Sequence, residues 1–208
     1  MLFSKEIYAK LYSSSPEHSY GAPGKMVEQI PSLLASGSIL DLGAGDGRHS
    51  IFLAEKGFNV RATDISEAAL SKLQRIAREK GVSVTTELAD LATWQMSANY
   101  DVVIAVQIFQ HLQTSDALRL LEEVKHHTSP GGINLISLFT ANGDRYDMDR
   151  KLDPEAFYPA DNWLKVYYAD WTVIDHVSHR SELNGPRNDD GSAKTSVVER
   201  ILVQKPDK

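Results

Sequence analysis

The chain has 208 residues, 42% of them hydrophobic, a net charge of −6 and no cysteine. That length suits one compact domain with a full core, and the acidic balance speaks against a nucleic-acid surface, which is normally basic. The missing cysteines exclude disulfides, thiolate metal sites and a cysteine nucleophile; no apolar run is long enough for a membrane span, and the opening Met1-Leu2-Phe3-Ser4-Lys5-Glu6 lacks a signal peptide's apolar core, so the expected location is cytoplasmic.

In chain order, residues 3–12 predict a short helix with Ile7 and Leu11 on one face, broken by Ser13-Ser14-Ser15-Pro16 and followed by loop over residues 18–24. Met26, Val27, Ile30, Leu33 and Leu34 fall at helical spacing, interrupted by Pro31. Residues 38–42 are an apolar strand ending in Leu40-Asp41-Leu42, and Gly43-Ala44-Gly45-Asp46-Gly47 follows with glycine at every second position. A helix over about residues 48–56, beginning Arg48-His49, stops at Gly57. Glycine in such a turn accepts backbone angles forbidden to other residues and lets a ligand approach the main chain. Dinucleotide-binding turns read Gly-x-Gly-x-x-Gly and cradle a pyrophosphate. Here the pattern is Asp-x-Gly-x-Gly-x-Gly, whose acid would face any phosphate and suits a ligand bearing an ammonium group instead.

This stretch resembles the first motif of the class I S-adenosyl-L-methionine (SAM)-dependent methyltransferases. The resemblance covers roughly residues 36–140 and implies an α/β, Rossmann-like seven-stranded, mostly parallel sheet with strand 7 antiparallel, flanked by helices. It also implies SAM as cofactor and S-adenosyl-L-homocysteine (SAH) as product. Its cofactor contacts would fall on Asp41, Gly43, Ala44, Gly45, Arg48, His49, Asp64, Ile65, Asp90, Leu91, Val106 and Gln107. The segment before the first strand, Tyr20 included, would cap the pocket or simply pack on the surface.

The second strand, residues 58–64, ends in Asp64, whose carboxylate can accept two hydrogen bonds from a ribose diol. The competing role is a helix N-cap, but Ser66 already precedes the amphipathic run Ala69, Leu70, Leu73, Ile76. Ile65 would pack on adenine. Residues 82–88 alternate as a third strand. The resemblance implies that Asp90 after it accepts from the adenine amino group, with the backbone N–H of Leu91 serving the ring; the alternative is a solvated loop acid. The run 100–106 reads as a central strand buried on both faces. Asp101 stands at its start, far from the ligand-binding end, and is read as structural. The backbone carbonyls of Val106 and Gln107 lie at the right end to hold the methionine ammonium, with Gln110 and His111 near the transferable methyl. Ser115-Asp116 is expected to cap a helix through Val124, with His126-His127 in its last turn. Pro130-Gly131-Gly132 reads as the turn before a strand at 133–139. Residues 140–162 are polar and aperiodic, a substrate loop or lid, or an idle surface loop. Asp161 is expected to cap a short helix through Leu164 and Tyr167. Residues 171–179 and 195–203 predict a terminal hairpin across a turn-rich Asn184–Lys194. His176 and His179, three apart on a strand, face opposite sides and are not expected to share a metal.

A narrower resemblance spans nearly the whole chain, to the tellurite-resistance (TehB-like) methyltransferases. It is carried by residues 40–54, 59–64, 130–136, Tyr167-Tyr168-Ala169-Asp170-Trp171 and Glu182-Leu183. It implies methyl transfer to a small-molecule acceptor, a tellurite or selenite oxyanion or another soft nucleophile. The family's His-Arg pair after Glu-Leu reads Asn184-Gly185 here, so Arg187 becomes the candidate anion contact. A soft anion needs alignment but no base; a hydroxyl acceptor needs a base, for which His111 is the candidate. The competing readings are a methyltransferase of a small-metabolite O or N acceptor, a nucleotide-linked oxidoreductase and a SAM-binding protein without activity. The expected organisation is an N-terminal cap segment at 1–35, a SAM-binding core at 36–140 and a substrate loop with C-terminal hairpin at 141–208. The chain is expected to be a monomer or homodimer with no nucleic-acid, membrane or metal partner.

Overall fold

The computed structural model describes Tyr12 and residues 21–207. The expected helix at 3–12 (apart from Tyr12) and the loop around Tyr20 lie outside the described residues. A 3-10 turn at Val27–Gln29 leads into helix α1 (Ile30–Leu33), with Pro31 in its first turn, where its missing N–H is no loss. There follow β1 (Ser38–Leu42), α2 (Arg48–Glu55), β2 (Asn59–Asp64), α3 (Glu67–Glu79), β3 (Val84–Leu88) and β4 (Tyr100–Val106). Then come α4 (Thr114–His126), β5 (Thr128–Phe139), α5 (Asp144–Leu152), α6 (Trp163–Tyr167), β6 (Thr172–Arg187) and β7 (Ala193–Gln204). The strands form one seven-stranded sheet in the order β3-β2-β1-β4-β5-β7-β6. All neighbours are parallel except that β7 runs antiparallel to both β5 and β6. This is the Rossmann-like α/β arrangement expected, including the antiparallel strand 7.

Strand order reverses between β1 and β4, and in such sheets the crevice beyond the C-terminal strand ends at that switch point receives the ligand. Val102, Val103, Ile104 and Ala105 of β4 are fully buried, as a strand covered on both faces requires. One face packs Leu40, Leu42, Val103 and Ile136 against Leu120 and Leu121 of α4 and against Tyr168. The other packs Ile39, Val60, Ile104 and Leu135 against Ile30 and Leu53. Asp101 is structural: its Oδ2 accepts from the Ser38 backbone N–H (2.8 Å) and hydroxyl (2.9 Å), which holds its carboxyl below the ordinary carboxylate range. Ser66 caps α3, its side chain accepting from Ala69 N–H.

Several elements differ from expectation for local reasons. Pro130-Gly131-Gly132 is not a turn before β5 but a bulge inside it, absorbed between the pairs Tyr100↔Thr128 and Val102↔Ile133. α4 starts at Thr114 rather than at Ser115-Asp116, because the Thr114 N–H (2.8 Å) and hydroxyl (3.0 Å) both donate to the carbonyl of Glu155. Asp161 does not cap α6, since its carboxylate is taken by the Thr140 hydroxyl and the Asn142 amide. Glu199 of β7 serves instead, accepting from Leu164 N–H (3.2 Å), Lys165 N–H (3.4 Å) and His176 Nε2 (2.9 Å). The expected loop 140–162 contains α5, whose one buried residue is Asp149, so no apolar period announced it. β6 continues through Arg187, leaving a tip closed by Asn188 N–H to Ser192 carbonyl at 3.0 Å.

Candidate cofactor and acceptor site

The glycine turn after β1 is tied at each step. Ala44 N–H donates to Thr63 carbonyl (2.9 Å), Gly45 N–H to Asp64 Oδ2 (2.8 Å) and Gly47 N–H to Ala44 carbonyl (3.1 Å). Those amides are spent inside the protein, so the turn is no pyrophosphate cradle. Gly43, Gly45 and Gly47 all adopt φ between 58° and 82°, the region favouring glycine. The space a Cβ would fill at each is taken by a protein side chain: Ile108 Cγ2 at 2.2 Å from Gly43's, the Tyr12 hydroxyl at 2.7 Å from Gly45's and Leu73 at 2.4 Å from Gly47's. The glycines therefore answer to close packing and turn geometry, where the sequence suggested close approach of a ligand. Asp46, in the same turn, forms a buried ion pair with Lys72 of α3 at 3.0 Å, which ties the turn to that helix.

At the switch point the strand ends enclose a cavity of about 390 Å³, within the size range of small-molecule sites. Asp41 stands at its floor, 2% exposed, its Oδ2 accepting from the Ser50 hydroxyl at 2.6 Å. Burial pushes its carboxyl up to about 7, with Ser50 opposing and the nearby Asp64 adding to the rise. Asp64 is also raised, chiefly by burial, against the N–H bonds it accepts from Ser66 and Gly45. After β3, Asp90 Oδ1 accepts from Ala92 N–H at 3.1 Å. Ile65 and Leu91 give the cavity apolar walls. Arg48 and His49 open α2; the Arg48 guanidinium reaches the Ala22 carbonyl (3.4 Å) and Gly24 backs onto the His49 ring.

The loop after β4 is the most constrained part of the site. Gln107, a non-glycine residue, has φ of 56°, and its N–H donates to Ser137 carbonyl at 2.8 Å. Gln110 Nε2 lies 2.5 Å from the Gln107 carbonyl and 2.9 Å from His111 Nε2. Turning the Gln110 amide over would set two oxygens face to face, so its nitrogen points at both partners. His111 Nε2 is therefore the acceptor in that contact and the ring proton sits on Nδ1. Burial, followed by the charge of Arg145, pulls the imidazole down to about 4, so it is neutral. That arrangement engages the lone pair a general base would use, against the sequence's assignment of His111 as a base. Gln110 is 3% exposed and its Oε1 is buried without a hydrogen-bond partner.

All twelve cofactor residues expected from sequence lie on this cavity: Asp41, Gly43, Ala44, Gly45, Arg48, His49, Asp64, Ile65, Asp90, Leu91, Val106 and Gln107, together with His111. Arg187 does not. It sits exposed at the tip of the β6–β7 hairpin, donating to Gly191 carbonyl at 3.0 Å, because β6 runs on past the expected turn and carries it away. Besides the expected Arg48, the cavity carries Arg145 of α5, which sequence reasoning missed along with Tyr12 and Phe139. The Arg145/Asp149 spacing of four was the one local signal for it.

The residues suit SAM on structural grounds. Three acids at successive strand ends, together with the Gln107 carbonyl, offer acceptors to a ligand bearing ammonium, diol and amino groups. A seven-stranded sheet of this order, with an antiparallel seventh strand, is the fold of the class I SAM-dependent methyltransferases. It matches the N-methyltransferase NodS of Bradyrhizobium japonicum, solved with SAH, at a TM-score of 0.68 and 12% identity over 97% of this chain and 98% of that one. It matches TehB of Haemophilus influenzae at a TM-score of 0.73 and 24% identity over 97% of this chain and 66% of that one.

The particular family is shown by sequence: the chain belongs to the family described as tellurite resistance protein TehB, which matches residues 2–196. A relative, the probable SAM-dependent methyltransferase TehB of Haemophilus influenzae, is 28% identical over 180 residues, covering 86% of this chain. This chain spans 59% of that relative's length. Among the described residues no helix is long and apolar enough to cross a membrane.

Proposed function

We propose that this protein is a SAM-dependent methyltransferase acting on a small-molecule acceptor. The observation that carries the reading is the turn Gly43-Ala44-Gly45 at the switch point, with the Ala44 and Gly45 amides already satisfied, flanked by Asp41, Asp64 and Asp90. Such a site repels phosphate and accepts hydrogen-bond donors. Bound SAM supplies an electrophilic methyl group on a sulfonium sulfur. On this reading Asp64 takes the ribose hydroxyls, Asp90 and the Leu91 N–H take the adenine edge, and Ile65 and Leu91 sandwich the ring. Asp41 and the Gln107 carbonyl receive the ammonium group. Tyr12 lines the cavity from the N-terminal side, and Arg145 of α5 with the loop after β4 forms the acceptor wall. The chain's contribution to rate is then alignment, which can supply roughly 7–11 kcal/mol where two reactants are held in line.

The family's description brings a tellurite-type oxyanion as one candidate acceptor. Supporting an anionic acceptor is Arg145 on the cavity wall; the sequence's Arg187 lends it nothing. The test is calorimetry followed by transfer. SAH should bind with one-site stoichiometry and NADH should not, and methyl-labelled SAM should pass label to a member of a small-acceptor panel that includes tellurite and selenite. Clean NADH binding with no heat from SAH or SAM would overturn the reading in favour of an oxidoreductase.

A further inference from the structure

The segment that carries Asp90 and Leu91 to the cavity is held from behind by Arg119 of α4, a side chain that does not itself line the cavity. After β3 the chain makes a single turn. The Asp90 carbonyl accepts from Thr93 N–H (3.0 Å) and Trp94 N–H (2.8 Å), and Asp90 Oδ1 accepts from Ala92 N–H at 3.1 Å. The carbonyls of Leu91, Ala92 and Trp94 are left at the far end of the turn, with no further helix to receive them. Arg119 takes all three: Nη2 donates to Leu91 (2.8 Å) and Ala92 (3.1 Å), and Nη1 to Trp94 (3.0 Å). The other Nη1 proton goes to Glu123 Oε1 at 2.6 Å, one helical turn on, and Glu123 Oε2 accepts from Met96 N–H at 2.9 Å. The four terminal N–H groups of the guanidinium are thus all spent. The pair has a fixed base, because Leu120, Leu121 and Val124 of the same helix are fully buried.

Resting on the methyltransferase reading above, we propose that Arg119 is a positioning residue that gives the site its selectivity for adenine. The Asp90 carbonyl and the Leu91 N–H belong to one trans peptide, so they point in opposite directions. With that carbonyl bound inside the turn, the Leu91 N–H faces away from it, and among the described residues nothing accepts from it. Rotating the turn moves this N–H and the Asp90 carboxylate together, since the Ala92 N–H ties the carboxylate to the same turn. The segment is also fastened by the buried side chains of Leu91 and Met96 and by Trp94 Nε1 donating to Glu87 Oε1 at 2.7 Å. Apolar burial is non-directional, so it sets depth and not the orientation of peptide planes. The planar guanidinium does set that orientation, because its fork has a rigid geometry. Without it three neighbouring carbonyls lose their donors, and the turn must open to hydrate them. The recognition at stake is directional. Adenine offers an amino donor to Asp90 and a ring-nitrogen lone pair to the Leu91 N–H; hypoxanthine reverses both, with an oxo acceptor and a ring N–H.

The test uses the full chain and two ligands, SAH and its deaminated counterpart S-inosylhomocysteine, titrated by calorimetry. The parent chain should favour SAH by at least about tenfold, since a site built to hydrogen-bond one ligand rejects an analogue that leaves its polar groups unpaired. Arg119→Met should lower SAH affinity about tenfold to a hundredfold while S-inosylhomocysteine affinity stays within about threefold, so the preference collapses. Arg119→Lys, which keeps the charge beside Glu123 and loses the fork, should fall between. Urea unfolding of the ligand-free variants measures their stability separately. An equal loss for both ligands would make Arg119 a general support of the fold and overturns the proposal. So does an Arg119→Met protein that keeps the parent's affinity and preference. Should Arg119→Met fail to fold, Arg119→Lys decides: SAH affinity down by at least about threefold with S-inosylhomocysteine unchanged sustains the proposal, and an unchanged preference overturns it. A parent chain that binds both ligands alike removes the assignment of Asp90 and Leu91 to adenine, and the role of Arg119 goes with it. A parent chain that binds neither is a different result, and it removes the methyltransferase reading itself.

Discussion

Replacing Gly43 with alanine tests whether the cavity floor depends on a bare main chain. Gly43 has φ of 66°, where a Cβ-bearing residue pays about 1–2 kcal/mol in the left-handed region. The new methyl would fall 2.2 Å from Ile108 Cγ2, well inside contact, so Ile108 or the turn must move. Overpacking of this kind adds about 1–3 kcal/mol, so Gly43→Ala should lose about 2–5 kcal/mol in all. Urea unfolding of the ligand-free protein reads this as a lower midpoint at unchanged slope. The second variant is Ile108→Ala, which removes the colliding atom and leaves the backbone strain in place. In the double variant the steric part should vanish, so its loss should be smaller than the sum of the single losses by about 1–3 kcal/mol. SAH calorimetry on the same four proteins should follow, with Gly43→Ala the weakest binder and the double variant partly restored. Additivity within about 0.5 kcal/mol would show that Gly43 and Ile108 do not constrain one another, and the packing account of the turn would be discarded.

Three further outcomes follow from the buried charges. Asp41 has a folded value of about 7 against an ordinary 3.8, so the folded state holds its proton more tightly and the associated stability, full at acid pH, is lost as pH rises through about 7. A cationic ligand favours the ionised form; SAM affinity should therefore climb by up to about tenfold per pH unit below neutrality and level off above it. Calorimetry across that range measures it, and Asp41→Asn should flatten the profile. His111 has the opposite sign: its folded value of about 4 lies under the ordinary 6.5, so its contribution to stability is present above 6.5 and lost as pH falls through 4. Methyl transfer should consequently show no inflection from His111 between about pH 5 and 8, and a His111→Gln variant should leave the pH profile's shape unchanged. Lys72→Met removes the cation paired with the carboxylate of Asp46, whose side chain is 3% exposed against 7% for Lys72. Breaking a buried pair in this way costs about 3–5 kcal/mol, whereas removing both charges in Asp46→Asn/Lys72→Met should recover most of it in urea unfolding.

How legible each part was depends on whether its cause is local. β1, the glycine turn and β4 were readable because burial on both faces and tight turns write themselves into consecutive residues: Val102 to Ala105 are all buried, and all three turn glycines take positive φ. Ser66 was readable as a cap because the bond it accepts comes from Ala69, three residues on. The misses share the opposite property. α4 begins where Glu155 supplies a carbonyl, 41 residues away, and α6 is held by Glu199, 35 residues from Leu164. α5 buries Asp149 toward Arg145 and Tyr158, so its inner face is polar and carries no hydrophobic period. Arg187 was misplaced because the hairpin register runs five residues past the last alternating pair, a length that pairing with β7 decides.

Two halves of one cavity are thus specified by different kinds of information. Strand ends deliver Asp41 and Asp64 wherever the sheet is formed, and Asp90 follows directly after β3, so the cofactor half comes with the fold. Arg145 depends on a short helix tied down by Asp144, which accepts the Thr195 N–H at 2.8 Å and hydroxyl at 3.0 Å. That attachment is to the seventh strand, outside the parallel core, so the acceptor wall can vary without disturbing the glycine turn. Between the halves stands Gln110, whose amide nitrogen bridges the Gln107 carbonyl and the His111 ring. A change in how His111 meets an acceptor therefore has a direct route, through one side chain, to the carbonyl assigned to the cofactor's ammonium.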